Sequence, residues 1–290
     1  MTSLEKLTIA GVPLLLRSPD DRDRHAPLIL FWHGFGSPNG EVDIAEAFPL
    51  EPVEAWKAYL GLPLFGQRSV GDEDLMRRQM EDYVLNLLLP VVEQAVQELP
   101  QVVAGLRSHC ELDSHSTLGL FGFSAGGIAA LLALAESDLP LQAVVLVGVT
   151  KDLSAAVRTY EKFTQSSYEM LKEQYPKLKS NYQWSESSRA AEVRLDFIAH
   201  SKRIVRREPL PAILFAHGVQ DEAFDLEDAK TLHDAVRTQY QRVDHAEKVS
   251  FRTFQHLKHA IDLASNSSPE QQADLAEMET VVTDWFKQYL

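Results

Sequence analysis

At 290 residues, 45% hydrophobic and 24% charged, the chain has the composition of a soluble globular protein with a large core, built as one α/β unit or two smaller ones. A formal charge of −14 repels phosphate backbones and anionic headgroups, so neither nucleic acid nor membrane is an expected partner. The single cysteine, Cys110, can form no internal disulfide, and no Cys/His cluster has zinc-ligand spacing. The expectation is therefore a reducing, cytoplasmic setting with no metal and no cofactor.

The first apolar run, 12–16, is interrupted by Pro13 and stopped by Arg17, too short for a signal peptide or a spanning helix. An edge strand near this terminus would be the only feature inviting a homodimer. The run 27–32 is continuously apolar, as in a central parallel strand covered on both faces, and His33-Gly34-Phe35-Gly36 follows it directly. A small glycine-rich loop in that position can aim the Phe35 N–H at a substrate oxyanion, with His33 and Gly34 shaping the loop rather than moving protons.

A weaker strand is predicted at 58–64, then a helix at 81–99 that Pro90 should kink or split. The apolar run 116–121 leads into Gly122-Phe123-Ser124-Ala125-Gly126-Gly127, and a small-residue helix at 126–136 follows. A G-x-S-x-G between strand and helix is the context a nucleophile elbow needs. Ser124 would sit in a strained turn, Gly122 and Gly126 would admit neighbouring backbone, and the Ala125 N–H at the helix start would be the second oxyanion donor.

After the strand at 143–147 comes a long segment, 151–208, helical in pattern and rich in aromatic and basic residues. It holds 12 Lys and Arg against 8 Asp and Glu, whereas the rest of the chain is strongly acidic. We read it as a helical cap, or lid, inserted over the sheet edge of a single domain whose core is 1–150 and 209–290. Its Tyr160, Phe163, Tyr168, Tyr175, Tyr182 and Trp184 could wall a pocket together with Phe35 or be the insertion's own core, and its basic charge could draw an anionic ester or simply be solvated.

The strand at 212–216 is followed by His217-Gly218-Val219-Gln220-Asp221, whose carboxylate could orient a catalytic histidine; Asp152, after the preceding strand, competes for that role. A helix at 226–242 and a strand at 249–254 precede two histidines three apart, His256 and His259. His259 has the greater reach back over Ser124 and is preferred as the base. A final helix, 269–290, opens with a capping Ser268 and Pro269.

Strands alternating with helices indicate a doubly wound, mostly parallel α/β sheet flanked by helices. The order Ser124, Asp221, His259 is that of the α/β-hydrolase fold and not of chymotrypsin-like or subtilisin-like proteases. From residue 28 onward, apart from the insertion, the chain resembles the α/β-hydrolase superfamily, nearest to prolyl-oligopeptidase-like and dienelactone-hydrolase-like esterases. His33-Gly34, Gly122 to Gly126, His217 to Asp221 and His259 match that family's motifs. Two departures stand out: His256-Leu257-Lys258 where the family often has Gly shortly before the histidine, and Ser124 where dienelactone hydrolases proper use Cys. The resemblance implies a serine hydrolase of the carboxylesterase type, acting on a small-molecule ester or thioester through an acyl-enzyme. A peptidase of the same family and a non-catalytic ligand-binding protein are the alternatives.

Overall fold

The computed structural model describes residues 4–261 and 267–290. Its eight strands form one sheet in the order β1-β2-β4-β3-β5-β6-β7-β8, where β1 is Glu5–Ile9, β2 Val12–Arg17, β3 Leu28–Trp32, β4 Trp56–Leu60, β5 Leu118–Phe123, β6 Leu141–Val147, β7 Ala212–Gly218 and β8 Val249–Phe254. Strands β3 to β8 are mutually parallel, and the β1–β2 hairpin joins them antiparallel through β4. Every residue of β3, β4, β5 and β7 is buried. Their near-continuous apolar sequence follows from having helices on both faces.

On one face lie α1 (Glu41–Ala47) and the last helix, α9 (Pro269–Tyr289), packed on Phe31, Tyr59, Phe121 and Phe123. On the other lie α3 (Leu89–His109), α4 (Ala125–Glu136) and α8 (Leu226–Gln241), with α2 (Asp72–Asp82) leading into α3 through a π-helical stretch, Tyr83–Leu88. Between β6 and β7 come α5 (Leu153–Leu171), α6 (Glu186–Arg194) and α7 (Phe197–Ile204).

Several boundaries depart from the sequence expectation, each for a packing reason. The hairpin β1–β2 turns on Ala10 and Gly11, both with positive φ (50° and 81°), a turn whose twist suits adjacent strands and which needs no proline-free apolar run. The strand expected at 58–64 is Trp56–Leu60; it ends at Gly61 because the Leu62 N–H leaves the ladder to donate to His33 Nε2 and Leu64 takes φ 69°. The helix expected at 81–99 is two helices with a π-turn between them, and Pro90 falls in the first turn of α3, where its missing N–H costs nothing. That helix also runs through Pro100 to His109. Leu99, Val102, Val103 and Leu106 are buried around the proline, and at about 1.5–3 kcal/mol each their burial outweighs the ~3 kcal/mol an internal proline costs.

The outer strands of the sheet are β1 and β8. In the insertion, α7 packs against α4 and α8, while α5 and α6 rest on the π-helical stretch. Among its aromatic residues Tyr182 packs edge-on to Tyr160 and Trp184, and Tyr160 stacks on Tyr83 of the π-helical stretch with centroids 4.9 Å apart. Its positive charge is also taken up locally. Arg194 pairs with Glu136 and Glu93, Lys151 and Arg158 with Asp228, and Lys177 with Glu81.

Candidate active site

Strand β5 ends at Phe123 and α4 begins at Ala125, so Ser124 alone makes the turn, at φ 53° and ψ −119°. Such a backbone costs on the order of 1–3 kcal/mol for a residue with a Cβ and persists only where the surroundings dictate it. Here they do: the Ser124 N–H donates to Val147 O (2.9 Å), and the Gly126 N–H donates to His33 O (3.1 Å), tying the turn to the ends of β6 and β3. A Cβ on Gly126 would stand 2.4 Å from His33 O and 2.6 Å from Trp32 O, so only glycine lets these segments meet; Gly122 lies directly beneath it. The serine side chain thus emerges at the carboxyl edge of the sheet.

The loop after β3 closes on the same point. A Cβ on Gly34 would come within 2.9 Å of Ser124 Cβ. Among the described residues neither the Phe35 N–H nor the Ala125 N–H makes a hydrogen bond, so both stay free, one directly after Gly34 and the other directly after Ser124. His33 shapes this loop from inside. It is fully buried, accepts the Leu62 N–H at Nε2 (3.1 Å) and donates from Nδ1 to Gly34 O (2.8 Å), which fixes its neutral tautomer. Burial drives its pKa down to about 4, against smaller opposing contributions from Gly34 O and Asp43. The Phe35 ring stacks on Phe65 (centroids 4.5 Å, planes 8° apart) and makes no ring contact with the insertion's aromatics among the described residues.

The loops after β7 and β8 complete the arrangement. Ser124 Oγ lies 2.8 Å from His259 Nε2, and His259 Nδ1 lies 2.8 Å from Asp221 Oδ2. Because a carboxylate can only accept, Nδ1 carries the proton and Nε2 presents its lone pair to the serine hydroxyl. The other Asp221 oxygen accepts the N–H groups of Ala223 and Phe224, both at 2.8 Å. Burial alone would raise the Asp221 pKa, but the hydrogen bond and charge of His259, with help from His217 and the Phe224 N–H, overcome it and hold the carboxyl below its ordinary value. It is therefore ionised at neutral pH. The imidazole of His259 is gripped between Phe123 (5.4 Å) and Phe224 (5.1 Å, edge-on).

The competing residues go elsewhere. His256 is half exposed and faces Asp274 of α9, which also accepts its backbone N–H at 2.6 Å. Asp152 caps the amino end of α5, accepting the Ala155 N–H at 2.7 Å. Cys110 is buried and its thiol is pushed up to about 12 by that burial, so it offers no thiolate. Among the described residues no group of three or more His, Cys, Asp or Glu could hold a metal ion, and no helix is long and apolar enough to cross a membrane.

Two contacts carried no signal that composition or spacing could expose. His217, buried at the end of β7, donates to Phe224 O (3.1 Å) and lies 3.6 Å from Asp221 Oδ2; burial lowers its pKa, so it stands neutral beside the acid. From the insertion, the Thr159 hydroxyl donates to Ala223 O in the loop that holds Asp221. The motif beginning at His217 was legible, but the turn that brings its ring back onto Phe224 was not.

A strained serine hydroxyl, an imidazole and a buried carboxylate in hydrogen-bonded sequence, beside two free N–H groups, are the parts of a nucleophilic acyl-transfer centre. The prolyl oligopeptidase family model matches residues 93–290, more than half of the chain and all three of these side chains. The chain belongs to the prolyl oligopeptidase family. It is thus a member of a family of serine hydrolases with the α/β-hydrolase fold. No curated protein matches its sequence. Among solved structures, protein TT1662 of Thermus thermophilus is 16% identical over 99% of this chain and 98% of its own, with a TM-score of 0.66. A Klebsiella pneumoniae protein assigned to dienelactone hydrolase is 15% identical with all of both chains covered (TM-score 0.62). The acylaminoacyl peptidase of Pyrococcus horikoshii is 14% identical (TM-score 0.64), and all of this chain spans 42% of that larger protein. At these identities the likeness is one of fold.

Proposed function

We propose that this family member hydrolyses carboxylic esters or thioesters of small molecules through an acyl-enzyme on Ser124. The observation that carries the reading is the unbroken 2.8 Å and 2.8 Å relay from Ser124 Oγ through His259 to Asp221. Ser124 attacks the carbonyl carbon while His259 Nε2 takes its proton, and the Phe35 and Ala125 N–H groups receive the oxyanion. Ionised Asp221 stabilises the imidazolium, which then returns the proton to the leaving group. Water, activated by the same imidazole, releases the acid and restores the serine. No step calls for a metal or cofactor.

The second reading, a peptidase, is favoured by the family match and by fold neighbours that include acylaminoacyl peptidases. It uses the same residues and differs in the leaving group. Labelling by a fluorophosphonate separates both from a non-catalytic binding protein: stoichiometric label on Ser124, absent in Ser124→Ala, is expected, and an unlabelled wild-type chain would overturn the enzymatic reading. A panel of p-nitrophenyl esters against aminoacyl amides then decides between ester and peptide, with kcat/KM expected to favour the esters.

A further inference from the structure

The residues around Ser124 follow the carboxyl ends of parallel strands. At the opposite edge, where β4 begins beside the end of β2, lies a separate cavity of about 150 Å³. Lys57 and Arg17 form its floor; Asp20, Glu51 and Glu54 stand at its mouth. The floor and the mouth are held very differently.

Lys57 is only 2% exposed, yet among the described residues its ammonium makes no hydrogen bond and has no carboxylate within ion-pairing distance. Arg17 is its direct partner across the antiparallel β2–β4 pair, so two like charges face each other on neighbouring strands. The Arg17 Nε is buried without a partner, and its guanidinium reaches only the outlying Glu51, at 3.5 Å. Burial and the Arg17 charge bring the Lys57 pKa down to about 8, while Glu54, Glu51 and Asp20 pull it the other way, so the amine remains mostly protonated at neutral pH. The lysine is buried along its stem and its ammonium opens onto the cavity beside a like charge, an arrangement that favours an anionic group at the floor.

The mouth forbids a simple anion, because the carboxylates of Asp20, Glu51 and Glu54 would repel it. A simple amine satisfies the mouth and leaves the floor unpaired. A molecule with a carboxylate and an ammonium a few ångströms apart satisfies both, and the cavity has the volume of about five liquid waters, the scale of a small metabolite. We propose that this cavity binds a free α-amino acid, its carboxylate on Lys57 and Arg17 and its ammonium among Asp20, Glu51 and Glu54. The site is independent of the hydrolytic reading.

Calorimetric titration of the full chain with glycine and alanine tests it, with acetate, methylamine and glycinamide as single-charge probes. Saturable one-site binding of the amino acids is expected, at least about tenfold tighter than any of the three controls, with a loss of about tenfold or more in Lys57→Gln. Amino acids that bind no better than acetate or methylamine, or equally well to Lys57→Gln, overturn the proposal. Should Lys57→Gln fail to fold by circular dichroism, Glu54→Gln at the exposed mouth takes its place: weakened glycine binding with unchanged acetate binding supports the site, and unchanged glycine binding overturns it. Repeating the titration in Ser124→Ala, where the same affinity is expected, keeps this outcome separate from the fate of the hydrolase assignment; lost binding there would place the amino acid at Ser124 and overturn the site.

Discussion

The loops that carry Ser124, Asp221 and His259 and the insertion between β6 and β7 both bear on the same chemistry, but they are held by different means. The loops are fixed by backbone: Gly126 N–H on His33 O, Ser124 N–H on Val147 O, Val219 N–H on Phe254 O and Gln220 N–H on Leu257 O. Glycine contacts too close for any Cβ lock them together. The insertion is fixed by side chains, through Thr159 to Ala223 O, Lys151 and Arg158 to Asp228, and Tyr182 to Asp82. Backbone anchoring leaves no substitute when one part is lost, whereas side-chain anchoring is shared and degrades by steps. Substitutions in the two regions should therefore differ in kind as well as in size.

The sharpest break in the comparison is Asp221→Asn, which can keep the two backbone N–H bonds but presents the wrong group to His259 Nδ1. By analogy with the acid of serine proteases, kcat should fall on the order of 10⁴-fold while the melting temperature changes little. Activity within tenfold of wild type, measured on the best ester of the panel, would remove Asp221 from the mechanism.

Next in size is a stability effect that belongs to the loops alone. His33 is held neutral with a folded pKa of about 4, against about 6.5 when unfolded. The unfolded chain takes up this proton as pH falls below 6.5 and the folded chain does so only near 4, so the stabilisation is complete above 6.5 and is lost on the way down. The loss from His33 is about 3 kcal/mol across that window. Urea melts at stepped pH should show it, and His33→Gln, weaker at pH 7, should show a shallower decline; parallel curves would refute the assignment.

For the insertion the expectation is graded. Thr159→Val removes one hydrogen bond to the acid loop and should lower kcat by roughly threefold to tenfold, about 1 kcal/mol, with KM little changed and with the pH profile of kcat/KM shifted through Asp221. A loss confined to thermal stability would mean that the insertion braces the fold and not the acid. The smallest effect is assigned to His256, which sits on Asp274: His256→Gln should leave kcat/KM within about twofold. A collapse of activity there would exchange the roles of the two histidines.

Much of this was open to reading along the chain. Continuous apolar runs announced the central strands because burial on both faces admits nothing else, and the doubly wound parallel sheet follows from their alternation with helices. The G-x-S-x-G and HG motifs were visible because close backbone approach restricts those positions to glycine whatever the distant chain does. Strand and helix ends were less legible. Pro100 inside α3 and the early end of β4 depend on burial and on a hydrogen bond to His33, neither of which is local.

The sequence alone determined the fold class and the residue types able to perform acyl transfer, since periodicity and glycine spacing are written into short stretches of chain. Only the tertiary structure decided which histidine faces Ser124, that Asp152 caps a helix while Asp221 meets His259, and that Lys57 stands unpaired in a cavity. Apart from the local Asp152 cap, those outcomes rest on distances between side chains more than thirty residues apart. Hydrogen bonding and desolvation act over a few ångströms of space, and no spacing along the chain encodes which distant groups will come within that range.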